Sequence, residues 1–265
     1  MSASSPRRRP TWAGPVVLGL ALLASWEVGV RVSGTSDLIL PAPSDIGLAL
    51  YQNVRSGIMG RHFAITASAT LLGFGLGVVL ALAAGIPIAM STTVERYLYP
   101  YILALQTTPK VAIAPLLMIW VGVGLSSKVI IAAVVVLFPV LINLVVGSRA
   151  AQRSHMELLD VYGGDWIDEI RYVRLPTALP FIFAGLKTGS VLGLLGAVTG
   201  EFVGATGGLG YLLTQQMNRL DTPGVFSVLL VLMLFGLSIY LVMDWLERIT
   251  IFWRDSAERT RLRQL

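Results

Sequence analysis

Apolar residues in this chain come in long unbroken blocks. They do not follow the period of two of a half-buried strand or the 3.6 of an amphipathic helix. A hydrocarbon layer about 30 Å thick takes roughly 20 residues of helix to cross. Six blocks meet that length: Trp12–Val32, Ala64–Met90, Leu98–Val121, Lys128–Gly147, Ala178–Val203 and Val225–Trp245. The pattern predicts an all-α membrane protein with six transmembrane helices. The second and fifth blocks exceed the minimum, which predicts tilt or extension beyond the hydrocarbon. The third is interrupted by Thr107-Thr108-Pro109-Lys110. Proline removes a helix donor there and the threonines can satisfy freed carbonyls, so a kink or break is expected.

Composition agrees with a bilayer. Of 265 residues, 55% are hydrophobic and 13% charged, a balance that would leave a soluble chain with a large exposed apolar surface. The net charge of +5 does not point to nucleic acid, because the basic residues sit at the edges of apolar blocks. With an inside N-terminus carrying Arg7, Arg8 and Arg9, the inner islands also hold Arg96, Arg149, Arg153, Arg171, Arg174, Arg248, Arg254, Arg259, Arg261 and Arg263. That makes about 13 basic residues inside against about five outside (Arg31, Arg55, Arg61, Lys128 and Arg219), so both termini are expected in the cytoplasm. A basic patch before an apolar run also fits a signal peptide, and Arg7-Arg8-Arg9 resembles a twin-arginine signal. The length of the run and the lack of a small-residue cleavage site before Trp26-Glu27 favour a retained first helix. Glu27 and Arg31, four residues apart, can pair on one face of it.

The organisation that follows is a first helix with an external segment (residues 1–61), a membrane core (62–246) and a basic tail (247–265). Within the external segment, Pro41-Ala42-Pro43-Ser44-Asp45 reads as a stop and a new helix start with Ser44 as N-cap. Either a short surface helix or an ordered linker fits the residues after it.

The longest inner island, residues 148–177, is patterned. Ser154-x-x-Glu157 fits a capping box. A short helix through Tyr162 would stop at Gly163-Gly164, and Asp165 would cap a second, Trp166–Val173, before Leu175-Pro176 opens the next block. Met156, Leu158, Leu159, Val161, Trp166, Ile167 and Ile170 give both pieces apolar faces outside the bilayer. A protein partner would cover them; a helical hairpin without a partner is the plainer reading.

Glu157, Gly163 six residues on, and Leu175-Pro176 twelve residues further resemble the EAA loop of ABC importer permeases. The run from Leu175 through Pro180 and Gly185 to Lys187 is similar to the nitrate/sulfonate/taurine branch. So are Trp26-Glu27, Pro41-x-Pro43-Ser44, Gly85-Ile86-Pro87, Pro115-Leu116 and Trp120-x-Gly122-x-Gly124. Gly200-Glu201-Phe202, Gly208-Leu209-Gly210-Tyr211 and Leu246-Glu247-Arg248 extend the match over nearly the whole chain. The resemblance implies a type I ABC importer permease fold with cytoplasmic coupling helices, working as a homodimer. It also implies a dimer of ABC ATPase subunits as partner, holding ATP and Mg, so that this chain binds no cofactor itself. An extracytoplasmic solute-binding protein would deliver the substrate. The ATPase-coupling residues would be Glu157, Leu158, Leu159, Gly163, Trp166, Leu175 and Pro176. Leu158 and Leu159 replace the two alanines of the motif, and Asp160 stands where a basic residue is common, which alters packing against the ATPase.

The remaining residues exclude other chemistry. No Gly-Lys-Ser/Thr phosphate loop is present, so ATP hydrolysis falls to another chain. There is no cysteine, and His62 and His155 lack ligand-like spacing; each reads as solvated or capping. Gly185, Gly189 and Gly193, then Gly196, Gly200 and Gly204, recur every four residues, a spacing that lets helix backbones approach closely in lipid. The fifth block is therefore expected at the centre of the bundle. Pathway candidates are Gln106, Thr107, Thr108, Pro109 and Lys110 at the break, where Lys110 would favour an anionic or polar solute or else pair with a neighbouring helix. Asn143 below the Phe138-Pro139 kink and Glu201 near the outer end of the fifth block are two more, the latter as a gate or a contact for the binding protein. Lys187 is expected to snorkel to the cytoplasmic face. A stand-alone secondary carrier is the alternative, though no internal repeat is evident.

Overall fold

The computed structural model describes residues 13–151 and 153–253, apart from the side chains of Ala13, Val111, Arg153, Ser154 and Asp160. Trp12, the basic clusters Arg7–Arg9 and Arg254, Arg259, Arg261 and Arg263, the Asp160 side chain and the Ser154 half of the expected capping box lie outside that description. Every described element is helical: α1 (Ala13–Ser33), α2 (Pro43–Arg55), α3 (Ile58–Met90), α4 (Thr92–Thr107), α5 (Lys110–Val121), α6 (Leu125–Arg149), α7 (Arg153–Val161), α8 (Trp166–Asp168), α9 (Leu175–Gly204), α10 (Leu209–Asn218) and α11 (Thr222–Thr250). A six-residue π-helical turn, Glu169–Arg174, joins α8 to α9.

Helices α1, α3, α6, α9 and α11 are each long and apolar enough to cross a membrane, and each contains one of the predicted blocks apart from Trp12. The interrupted third block is two helices, α4 and α5, bent by 100° at the break. Thr107 and Thr108 donate from Oγ1 to Ala104 O at 2.8 and 3.3 Å, so the threonines satisfy a carbonyl beside the break. Counting the bent pair once gives six spans.

The chain falls into two compact units, Met1–Met59 with Leu213–Leu230, and Gly60–Leu212 with Val231–Leu265. In the first, α1 and α2 are tied by a polar knot. Glu27 accepts from Ser44 N–H (3.0 Å) and from Ser44 Oγ (2.8 Å), while Arg31 pairs with Glu27 (3.1 Å) and Asp45 (3.0 Å). A helix, not a linker, follows here, but Ser44 does not cap it. Ala42 holds the cap position, and Ser44 is drawn to Glu27 instead.

In the second unit α6 lies between α3 and α9. A Cβ on Gly77 of α3 would stand 2.7 Å from Ala133 O, and one on Gly185 of α9 would stand 2.8 Å from Asn143 Cβ. Along the same seam a Cβ on Gly196 would be 2.9 Å from Ala132 Cα, and one on Gly200 would be 3.3 Å from Lys128 Cα. The glycine spacing thus does what small residues do between helices in lipid, where apolar surface alone gives no reason to associate. The expected central helix shares that position with α6, whose buried face carries Ile131, Ala132, Val136, Val140, Leu141, Leu144 and Val145.

Candidate functional site

Three places in the second unit carry polar chemistry. The first is the hairpin formed by α7, α8 and the π-helical turn. Gly163 has φ +73°, a left-handed conformation that ends α7, and Gly164 N–H bonds Leu159 O at 3.0 Å. A Cβ on Gly164 would stand 2.6 Å from Leu159 Cγ, so any larger residue there would force the Leu159 side chain to move. Asp165 caps α8, accepting from Ile167 N–H and Asp168 N–H at 2.9 Å each. The hairpin leaves Leu158 (56%), Val161 (83%), Trp166 (62%) and Ile167 (54%) exposed, and Glu157 is exposed beside them. Behind it, a cavity of about 430 Å³ is lined by Ile86, Met90, Leu144, Trp166, Ile170 and Leu175.

The second helix of the hairpin differs from expectation. It does not stop before Leu175-Pro176. Trp166–Gly204 runs as one helical stretch of 39 residues, through the π-helical turn and into α9. Pro176 and Pro180 each lack the N–H that a continuous helix would use, so the backbone bonding is interrupted at both although the helical path is not. Arg174 bonds Glu169 across the π turn at 2.7 Å.

The second place is a cavity of about 330 Å³ between the α4–α5 break, α6 and α9, lined by Gln106, Lys110, Val135, Phe138, Leu195 and Thr199 among others. Lys110 Nζ donates to Gln106 O at 2.6 Å and stands 4.8 Å from the centroid of the Phe138 ring. No carboxylate is recorded within ion-pair distance of it among the described residues.

The third place joins α3, α6, α9 and α10. Glu201 is fully buried, and its carboxylate lies 2.9 and 3.0 Å from the Thr66 hydroxyl, which donates to it. It also accepts from Gly210 N–H at 2.8 Å and has Lys128 Nζ 3.8 Å away. Lys128 in turn donates to Gly207 O at 2.6 Å. Leu209 N–H donates to Thr66 Oγ1 (2.7 Å) and Gly208 N–H to His62 Nδ1 (3.0 Å). Near the middle of α9, Lys187 pairs with Asp244 at 2.5 Å and with Glu247, and at the end of α6 Arg149 pairs with the buried Glu95.

Residues 73–251 match the family described as the inner membrane component of binding-protein-dependent transport systems. The chain belongs to this family. The permease is 40% identical over 247 residues to the riboflavin transport system permease protein RibX of Chloroflexus aurantiacus, covering 93% of this chain and 92% of that one. It is 30% identical to the formylaminopyrimidine transport permease protein ThiX of Halalkalibacterium halodurans, covering 91% and 95%. An inward-facing crystal form of the MetNI methionine ABC transporter has the same fold, with a TM-score of 0.60 at 20% identity over 70% of this chain and 92% of that one. The chain is thus the membrane permease subunit of an ATP-driven importer of small solutes. Nothing among these relatives favours a stand-alone carrier.

Of the residues singled out from sequence, the permease brings Leu158, Leu159, Gly163 and Trp166 into one hairpin and sets Leu175 and Pro176 at its junction with α9. Gln106 and Lys110 line a cavity; Thr107 and Thr108 turn their hydroxyls to Ala104, and Pro109 is exposed. Asn143 donates from Nδ2 to Pro139 O at 2.8 Å and lies at the α6–α9 seam. Lys187 pairs with two carboxylates of α11, Asp244 and Glu247. His62 is an acceptor for a loop amide, neither free nor a helix cap. Thr66 and Lys128 were missed as partners of Glu201. The legible signal was opposite charge near the same predicted face, at the start of the fourth block and the end of the fifth.

Proposed function

We propose that two copies of this permease form one pathway through the plasma membrane, with both termini cytoplasmic, and that a dimer of ABC ATPases docks on the 148–177 hairpin. Glu157, Leu158, Leu159, Gly163, Trp166, Leu175 and Pro176 are the coupling residues. ATP and Mg belong to the ATPase, and an external binding protein delivers the solute. ATP-driven closure of the ATPases moves the two hairpins toward each other and turns the pathway outward. The observation that carries this reading is the apolar hairpin, with Leu158, Val161, Trp166 and Ile167 exposed at a part of the chain flanked by Arg149, Arg171 and Arg174, outside the apolar blocks. Exposed apolar side chains clustered in this way mark a protein contact.

Lys110 and its cavity are the proposed solute contact within the membrane. A cation with no carboxylate at ion-pair distance among the described residues, beside an aromatic ring, offers charge and a π face to a small anionic or polar aromatic solute. Similarity to RibX favours the aromatic side of that range.

The test is co-purification with the ATPase encoded beside this chain, using wild type and the double variant Glu157→Ala/Gly163→Pro. Association with wild type and at least a tenfold loss with the variant is expected, since proline cannot adopt a positive φ. Failure of any ATPase to associate with the wild type would remove the coupling assignment.

A further inference from the structure

The buried cluster around Glu201 is more than a satisfied ion pair. Four consecutive residues, Gly207 to Gly210, each give one backbone group to a side chain from α3, α6 or α9. Gly207 O goes to Lys128, Gly208 N–H to His62, Leu209 N–H to Thr66 and Gly210 N–H to Glu201. A connector needing only to join two helices can satisfy its backbone with water or its own turn. Here the first turn of α10 is held by side chains on three separate transmembrane helices. The glycines are matched to the carboxylate they face. Gly208 has φ +119°, and a Cβ there would overlap the Glu201 carboxylate; a Cβ on Gly210 would stand 2.9 Å from Glu201 Cβ. A buried carboxylate is costly unless donors and a cation surround it, and each of these is present.

Glu201 also sits in the last turn of the helical stretch that begins at Trp166 in the coupling hairpin and ends at Gly204. We propose that Glu201, with Thr66 and Lys128, is a positioning clasp for transport: it fixes the α9–α10 corner to the α3–α6–α9 core, so that Leu209–Leu212 move with α9 when the hairpin moves. Movement at Trp166 then reaches Glu201 along one helical path, and the clasp carries it across the short connector 205–208 to the start of α10. The clasp as a structural lock stands on geometry alone; its part in transmission rests on the coupling assignment proposed above.

The test uses the absence of native cysteine. Ala205→Cys places a thiol at a nearly buried position of the corner, where exposure is 8%. In the purified permease this thiol reacts slowly with a water-soluble maleimide. Glu201→Gln and Thr66→Val should each raise the labelling rate about tenfold, and Thr66→Ser should restore protection, because it keeps the hydroxyl. Thr66→Val, close in shape to threonine, serves where Glu201→Gln fails to assemble. In vesicles with the ATPase and the binding protein, Thr66→Val should keep basal ATP hydrolysis within about twofold. Stimulation by the binding protein should fall about tenfold, and Thr66→Ser should recover it. Unchanged labelling in folded variants overturns the clasp. Faster labelling with unchanged stimulation overturns its role in transmission. A wild-type chain that binds no ATPase overturns the coupling assignment and, with it, the transmission role, and is told apart because it appears before any substitution.

Discussion

Lys110, Lys128 and Lys187 are the chain's only lysines, and their surroundings separate their roles. Lys128 and Lys187 meet carboxylates of another helix, whereas Lys110 meets a carbonyl and a ring and faces a cavity. A cation at membrane depth is costly to hold without a counter-charge, which is why Lys110 is the residue to test as the proposed solute contact. Lys110→Met should raise the half-saturating solute concentration for uptake about tenfold or more, while Lys110→Arg retains most activity. Uptake assays matched for expression check this, and unchanged affinity in Lys110→Met removes Lys110 from the pathway. At this scale the sequence was partly legible. An isolated lysine beside a proline break is visible in a string of letters. That Lys128 of α6 meets Glu201 of α9, and Gly207 O 79 residues away, is a product of packing.

Helices were legible as apolar blocks, because a bilayer demands a length that few soluble segments reach. Their ends and junctions were less so. Leu175-Pro176 reads as a fresh start, since proline is common in the first turn of a helix. The π-helical turn hides this signal: it carries the chain from Asp168 to Leu175 without a gap and leaves Pro176 in a position that a helix start also allows. The seam between α6 and α9 was readable as glycines at every fourth position, yet which helix they faced was not. At Gly196 the facing atom is backbone, Ala132 Cα, which cannot rotate aside. Gly196→Val should therefore separate α6 from α9 and cost about 1–3 kcal/mol or more, seen as a lower melting temperature of the purified permease. Gly75, with nothing within 4 Å of an added Cβ, is the control: Gly75→Ala should leave the melting temperature unchanged or raise it slightly.

For the whole molecule, the distribution of arginine predicts which face is cytoplasmic. Single cysteines in this cysteine-free chain give the readout. Val161→Cys in the hairpin and Val32→Cys at the end of α1 both fall on strongly exposed residues. In intact cells an impermeant maleimide should label Val32→Cys and leave Val161→Cys unlabelled until the membrane is opened. The reverse pattern would invert the topology and, with it, the side on which an ATPase could dock. What arginine counting could not supply is the division into two compact units, because Leu213–Leu230 joins α1 and α2 from the far end of the sequence. Bonds such as Asn53 to Ser227, 174 residues apart, make that unit.

The uninterrupted run from Trp166 to Gly204 has a mechanical meaning. At about 1.5 Å per residue its 39 residues span roughly 58 Å, nearly twice the hydrocarbon thickness. A beam of that length has leverage. Tilting it by about 10° displaces one tip by roughly 10 Å relative to the other, enough to open or shut an aperture the size of a small solute. No segment need melt and no side chain need leave its rotamer along the way. Under the proposed coupling, the work that opens such a gate would be set by what resists the tilt at the two tips, with the glycine seam between them as the bearing.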